Sequence, residues 1–239
     1  MLAAVLWGGL AAASLLIGYY LATRGPTKRA TGLIMGIGAG ALIAAIAYEL
    51  VPATVLGGWA MALAFGLGAM TFFLGDWAVD RRGGEDRKDI AGSAASGSGA
   101  AIFIGTLLDN VPESIILGLG LALGGAINLA FLVAVFISNL PEGVAGTINL
   151  AAAGYPRQKI LGMWALLVAV SAACAGLGYL LVGWLPEADG RIAQAFAAGA
   201  MLTMLADAMM PEAFQHGGKT VGLFTALGFL LAAVLSLAV

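Results

Sequence analysis

The sequence predicts an all-α, polytopic membrane protein built as one domain over residues 1–239, and three observations predict it. Hydrophobic residues make up 61% of the chain and charged residues 10%, with a mean hydropathy of +0.99, far outside the usage of water-soluble domains. Apolar stretches of about 20 residues, the length that crosses a hydrocarbon core as a helix, recur along the chain. The 36 glycines suit helices in lipid, where small residues let backbones approach closely.

Eight spans are expected, at about 2–22, 30–52, 55–77, 98–122, 126–152, 158–184, 190–212 and 219–238. The first has no basic segment before it and TRGPTKR after it, the reverse of a cleaved signal peptide, so it is read as a retained span. The second follows GPTKR and is parted from the third by PATVLGG. The charged, Ser/Gly-rich stretch over about 78–97 is the long loop, read as a solvated linker. LGGAIN separates the fourth span from the fifth, GYPRQK opens the sixth, PEADGR the seventh and QHGGK the eighth.

Alternate connections hold 10 of the 11 basic residues and leave only Arg191 on the other side. The positive-inside rule then puts both termini away from the cytoplasm, in a cytoplasmic (inner) membrane. This distribution explains the basic residues fully, so no nucleic-acid partner is expected; the partner is the lipid bilayer. Cys174 is the single cysteine, which excludes an intramolecular disulfide.

Two kinds of repeat appear. DNVPES in the fourth span returns as SNLPEG in the fifth, 29 residues on. AGALIAAIAYELVPA in the second span resembles AGAMLTMLADAMMPEA in the seventh, and Gly40 to Pro52 and Gly199 to Pro211 share a spacing of 12. The second and seventh spans run in opposite directions, so the chain reads as three helices, a central pair and three helices in inverted topology, a 3+2+3 arrangement that suits a transporter with a midplane site.

Residues at i, i+3 and i+4 share a helix face. Asp109, Asn110 and Glu113 therefore project together from the fourth span, and Ser138, Asn139 and Glu142 from the fifth. Pro112 and Pro141 cannot donate backbone hydrogen bonds, which frees the carbonyls of Leu108 and Ile137. Ionised carboxylates at that depth cost about 2.5 to 3.5 kcal/mol each. No Lys or Arg lies inside a span except near its ends, so protons or bound cations must neutralise them. A divalent cation held by Asp109, Glu113 and Glu142 with Asn110, Asn139 and Ser138 is the direct chemical answer. The blander reading is a pair of protonated acids bonding between kinked helices. Glu49 near the outer end, with Asp76, Asp207 and Glu212 near the inner ends, reads as solvated end residues or as entry and exit vestibules. His216, the only histidine, reads as a loop residue that could contact cargo at the inner mouth.

At these residues the sequence resembles the ZIP (Zrt/Irt-like protein) family of metal-ion transporters, through DNVPES, SNLPEG, YELVPA and ADAMMPEAF. The resemblance implies eight helices, external termini, a one- or two-metal site between the fourth and fifth helices, import toward the cytoplasm and commonly a homodimer. The chain departs from the family at several positions. Asp109 stands where many members have His, Ser138 and Asn139 open the second motif, Ser114 replaces a glycine, and the sixth span has no carboxylate. These changes leave mainly oxygen ligands, which favour harder cations such as Mn²⁺, Mg²⁺ or Ca²⁺. The family resemblance points instead to zinc or iron.

The expected function is therefore transport of a divalent cation (Zn, Mn, Fe or Cd) as substrate by alternating access, with no enzymatic activity and no cofactor. The rivals are a proton-coupled carrier of a small solute and a non-transporting, metal-sensing membrane protein of the same fold. No Ser/His pair, zinc-protease phrase or cysteine nucleophile lies in the spans to support an intramembrane enzyme.

Overall fold

The computed structural model describes residues 1–51, 58–84, 99–124, 127–184 and 189–238. All regular structure among them is helical. Seven helical runs are long and apolar enough to cross a membrane, the last of them Gly190–Leu237 with 48 residues. An all-α integral membrane protein follows. We number the helices α1 (Leu2–Ala22), α2 (Lys28–Ala45), α3 (Trp59–Val79), α4 (Gly99–Gly124), α5 (Leu129–Ala152), α6 (Arg157–Trp184), α7 (Asp189–Met204), α8 (Met210–Gly217) and α9 (Val221–Ala238). Pro52, the rest of PATVLGG through Gly57, and residues 85–98 of the expected 78–97 loop lie outside the described residues.

Two of the helix starts that differ from the sequence expectation carry a side-chain cap. α2 begins at Lys28, where Thr27 Oγ1 accepts from the Ala30 amide at 3.2 Å. α5 begins at Leu129, later than expected, because Asn128 Oδ1 accepts from the Phe131 amide at 2.8 Å.

A straight helix of 48 residues would be about 72 Å long, more than twice the hydrocarbon thickness. The last run is instead folded back on itself. Along α8 the contacts with α2 run in opposite senses: Met209, just before it, reaches Gly38, and Gly217 meets Gly32. Along α9 they run in the same sense, with Val221 beside Gly36 and Thr225 beside Gly40. The direction reverses in the tight turn Gly218–Thr220, where Gly218 has φ 64°, a conformation that glycine adopts without a Cβ penalty.

Backbone contact through paired glycines fixes the bundle. A Cβ at Gly40 would collide with the Thr225 carbonyl and one at Gly228 with the Ile37 carbonyl, which locks α2 to α9. The same reciprocal contact recurs 159 to 160 residues away, where Gly199 meets Phe65 and Gly68 meets Phe196, locking α7 to α3. A second set of reciprocal contacts holds the central helices. Gly118 meets Ala175 and Gly178 meets Ile115, binding α4 to α6, while Gly143 meets Leu15 and Gly18 meets Leu140, binding α5 to α1. Wide π-turns follow the same pattern: Ile46–Leu50 after α2 and Leu205–Met209 after α7 stand 159 residues apart.

The molecule has two chemically distinct ends. At one, Tyr19 Oη donates to the Arg157 carbonyl, Gly99 lies against the Tyr155 ring and Gly32 against Gly217. Arg24 sits 4.6 Å over Tyr20, Arg81 3.7 Å over Trp77 and Lys159 4.4 Å over Tyr155, each four residues along the chain from its ring. Such pairs belong at a membrane–water boundary, with the ring at headgroup level and the cation beyond it. At the other end the close of α2, the start of α5 and the close of α9 meet around Glu49.

Candidate functional site

DNVPES and SNLPEG lie at matching depths on antiparallel helices joined by one short connection. Glu113 is 11 residues before the end of α4, and Glu142 is 13 after the start of α5. At about 1.5 Å per residue both lie near the middle of a hydrocarbon core. Both prolines are accommodated inside continuous helices. All six predicted ligands are buried: Asp109, Asn110, Glu113, Ser138, Asn139 and Glu142 each expose 3% or less. α4 and α5 pack on each other, and the motif residues are buried on both.

The approach of α2 to this interior depends on one residue. A Cβ at Gly38 would stand 2.8 Å from Ser138 Cα, so α2 crosses α5 at the motif only because position 38 is glycine. The Gly18–Leu140 and Gly143–Leu15 contacts place α1 against the same stretch.

The polar atoms differ in how they are satisfied. Asn110 Nδ2 donates to the Thr106 carbonyl at 3.0 Å, and Ser138 Oγ donates to the Val135 carbonyl at 2.9 Å. Their amide and hydroxyl oxygens keep lone pairs for a ligand. Asn139 is 1% exposed, and neither its Nδ2 nor its Oδ1 has a hydrogen-bond partner among the described residues. A buried polar atom left this way costs about 1 to 3 kcal/mol, so Asn139 gains from any partner, a water or a ligand, that reaches it. An oxygen donor of this kind, on one helix with the Ser138 hydroxyl and the Glu142 carboxylate, fits a hard divalent cation.

Among the described residues no three His, Cys, Asp or Glu side chains converge as a ready metal-binding group. Asp109, Glu113 and Glu142 are therefore not drawn together as a three-carboxylate cage. Three ionised carboxylates at one point would repel one another strongly, so a cation here would also need neutral oxygens such as those of Asn110, Ser138 and Asn139. An apolar groove of about 650 Å³ passes Leu108, Val111 and Pro112 between α3, α4 and α7, and none of the six candidate ligands lines it.

The sequence reading missed one residue. Ile160, Trp164, Leu167, Ser171 and Ala175 form the buried stripe of α6, and Ser171 is its one hydroxyl. Ser171 Oγ has no hydrogen-bond partner among the described residues, whereas Ser14, Thr106 and Ser138 all bond back to carbonyls of their own helices. Ser171 lies one turn before Ala175, and Ser114 one turn before the Gly118 that Ala175 touches, so Ser171 stands level with the α4 motif. The signal was a lone hydroxyl at core spacing, hidden because serine is commonplace in an alanine-rich helix.

The outlying acids divide. Asp207 is exposed but not at an inner end: it lies in the π-turn two residues before Met209, which reaches Gly38 at the level of Ser138. Asp76 is not solvated: it is 3% exposed. His216 is not in a loop but in the last turn of α8, where its Nδ1 lies 3.0 Å from Glu212 Oε2. Glu49 is half-buried, and both its oxygens accept hydrogen bonds, from Asn128 Nδ2 and Ser236 Oγ. No family model matches the chain, and no curated protein matches it.

Proposed function

We propose that the protein is a ZIP-like transporter that carries a divalent cation through the midplane between α4 and α5. The carrying observation is Asn139, a fully buried amide with neither atom bonded among the described residues, flanked by Ser138 and Glu142. Glu113 and Glu142 supply charge, Asn139, Asn110 and Ser138 supply neutral oxygens, and Asp109 and Ser171 extend the set. The all-oxygen donors favour Mn²⁺ over Zn²⁺ relative to an imidazole-bearing site.

An eight-span, 3+2+3 inverted repeat is part of this reading. It is supported by the reversal at Gly218, by the reciprocal glycines and π-turns at a constant offset, and by the senses of the packed pairs. α2 runs parallel to α9 and antiparallel to α5 and α8, as strict alternation requires. The basic end with its aromatic pairs faces the cytoplasm in this reading, which places both termini on the opposite side, and import runs toward that end. The transporter would work as the homodimer that the family resemblance implies.

The test is uptake of Mn²⁺, Zn²⁺, Fe²⁺, Cd²⁺ and Mg²⁺ into proteoliposomes. Flux that is lost in both Glu113→Ala and Glu142→Ala supports the site and ranks its cations; no flux of any metal through folded protein overturns the reading. One observation favours a second reading, the proton-coupled solute carrier: among the described residues the acids do not converge as a group of three. That carrier would show solute-driven proton movement and no thermal shift with any metal.

A further inference from the structure

We propose that Glu49, Asn128 and Ser236 form a clasp that shuts the molecule at the end opposite the basic residues, and that breaking the Glu49–Asn128 bond opens it. The clasp joins three helices. Glu49 stands in the π-turn after α2, Asn128 is the N-cap of α5, and Ser236 lies in the last turn of α9. One carboxylate oxygen accepts from Asn128 Nδ2 and the other from Ser236 Oγ.

The two bonds have different consequences. α2 and α9 are already locked by Gly40 and Gly228, so the Ser236 bond only orients the carboxylate. The Asn128 bond instead ties the end of α2 to the start of α5, the helix that carries Ser138, Asn139 and Glu142. Those two helices touch deep in the bundle at Gly38 and Ser138, and the clasp closes the end they share, about three helical turns away.

The local structure is made for this contact. Ala47 and Tyr48 are exposed on the π-turn, while Glu49 is turned inward. A wide turn that re-aims one side chain is a common device at working sites. Asn128 is divided between two tasks: its Oδ1 caps the Phe131 amide, which holds its Nδ2 on the carboxylate. The clasp is also releasable. Both donors are neutral, so no ion pair must be broken, and the residues border a cavity of about 120 Å³. That is room for about four waters, enough to replace either donor at little net cost. As a gate, the clasp rests on the transport reading; as a contact, it does not.

The test uses the full chain in nanodiscs with Cys174→Ala. Ala130→Cys places a thiol on a buried residue of that cavity, and its reaction rate with a membrane-impermeant maleimide reports opening. Asn128→Asp keeps the cap but replaces the donor with a second carboxylate, and should raise the rate about tenfold. Adding Glu49→Gln exchanges donor and acceptor, because the new amide can donate to the carboxylate introduced at position 128 while still accepting from Ser236, and should restore the slow rate. An unchanged rate in Asn128→Asp, or an exchange that restores nothing, overturns the clasp. If Asn128→Asp aggregates, Asn128→Ser replaces it: it keeps a capping hydroxyl too short to reach Glu49, and the same rise is expected. Metal uptake is measured in parallel. Absent uptake with the thiol rates as expected counts against transport alone, and normal uptake with unaltered rates counts against the clasp alone.

Discussion

Asn110 and Asn139 occupy the same place in two copies of one phrase, yet only one of them is satisfied. Asn110 bonds back to the Thr106 carbonyl, while Asn139 bonds to nothing among the described residues. The cause is the preceding residue. Asp109 cannot donate when ionised, so the carbonyl four residues before Asn110 stays open to the amide. Ser138 can donate, and its hydroxyl takes the Val135 carbonyl, the one that Asn139 would otherwise reach. A single difference between aspartate and serine thus leaves one amide held by its own helix and the other without a partner among the described residues. A repeat in sequence is not a repeat in role.

The largest effect that would bear on this contrast comes from the charges both amides serve. Glu113→Ala and Glu142→Ala should each reduce metal uptake in proteoliposomes to the protein-free background, since a site left with one of its two glutamates holds a divalent cation poorly. Uptake by the unaltered protein should also fall as the pH is lowered, because protons compete for the same carboxylates. Rates that rise in acid would favour the proton-coupled carrier.

The contrast itself is tested by Asn139→Ala, expected to weaken metal affinity about tenfold by calorimetry, against Asn110→Ala, expected to cost about threefold. Equal losses would remove the distinction. A smaller effect than that of Asn139→Ala is expected from Ser138→Ala, about fivefold, because it frees the Val135 carbonyl for Asn139 as well as removing a hydroxyl. In a Ser138→Ala, Asn139→Ala double variant the loss should exceed that of Asn139→Ala alone but fall short of the two losses combined, and simple additivity would show that the serine acts independently. Ser171→Ala should cost least, about twofold in affinity, with little change in thermal stability. A marked gain in stability without loss of affinity would make Ser171 a structural defect rather than a ligand.

The sequence reveals the spans and the buried motif faces because both follow from one-dimensional rules: apolar length, and helical spacing of polar residues. Other features depend on neighbours that periodicity does not name. Asp76 reads as solvated from its place near a span's end, yet tertiary packing buries it. His216 reads as a loop residue because Gly217 and Gly218 follow it, yet α8 continues through it and turns only at Gly218. The π-turns carry no residue signature, although their common offset could be suspected from the spacing of Gly40 to Pro52 and Gly199 to Pro211. Glu49, Asn128 and Ser236 are far apart along the chain, and nothing local joins them. The capping role of Asn128 was legible in principle, since Asn before an apolar run is a helix-start signal.

The reciprocal glycines also govern how the gene can drift. Every change to a glycine codon that alters the residue adds at least a Cβ, and at Gly40, Gly68, Gly118, Gly143, Gly199 and Gly228 that atom meets a neighbouring backbone, which cannot step aside as a flexible side chain can. Saturation mutagenesis should therefore uncover two matching rows of intolerant positions, one in each half of the chain. Variation would be confined between them to the lipid-facing residues, and descendants of this sequence would diverge along their outer surfaces while keeping the same bare seams within.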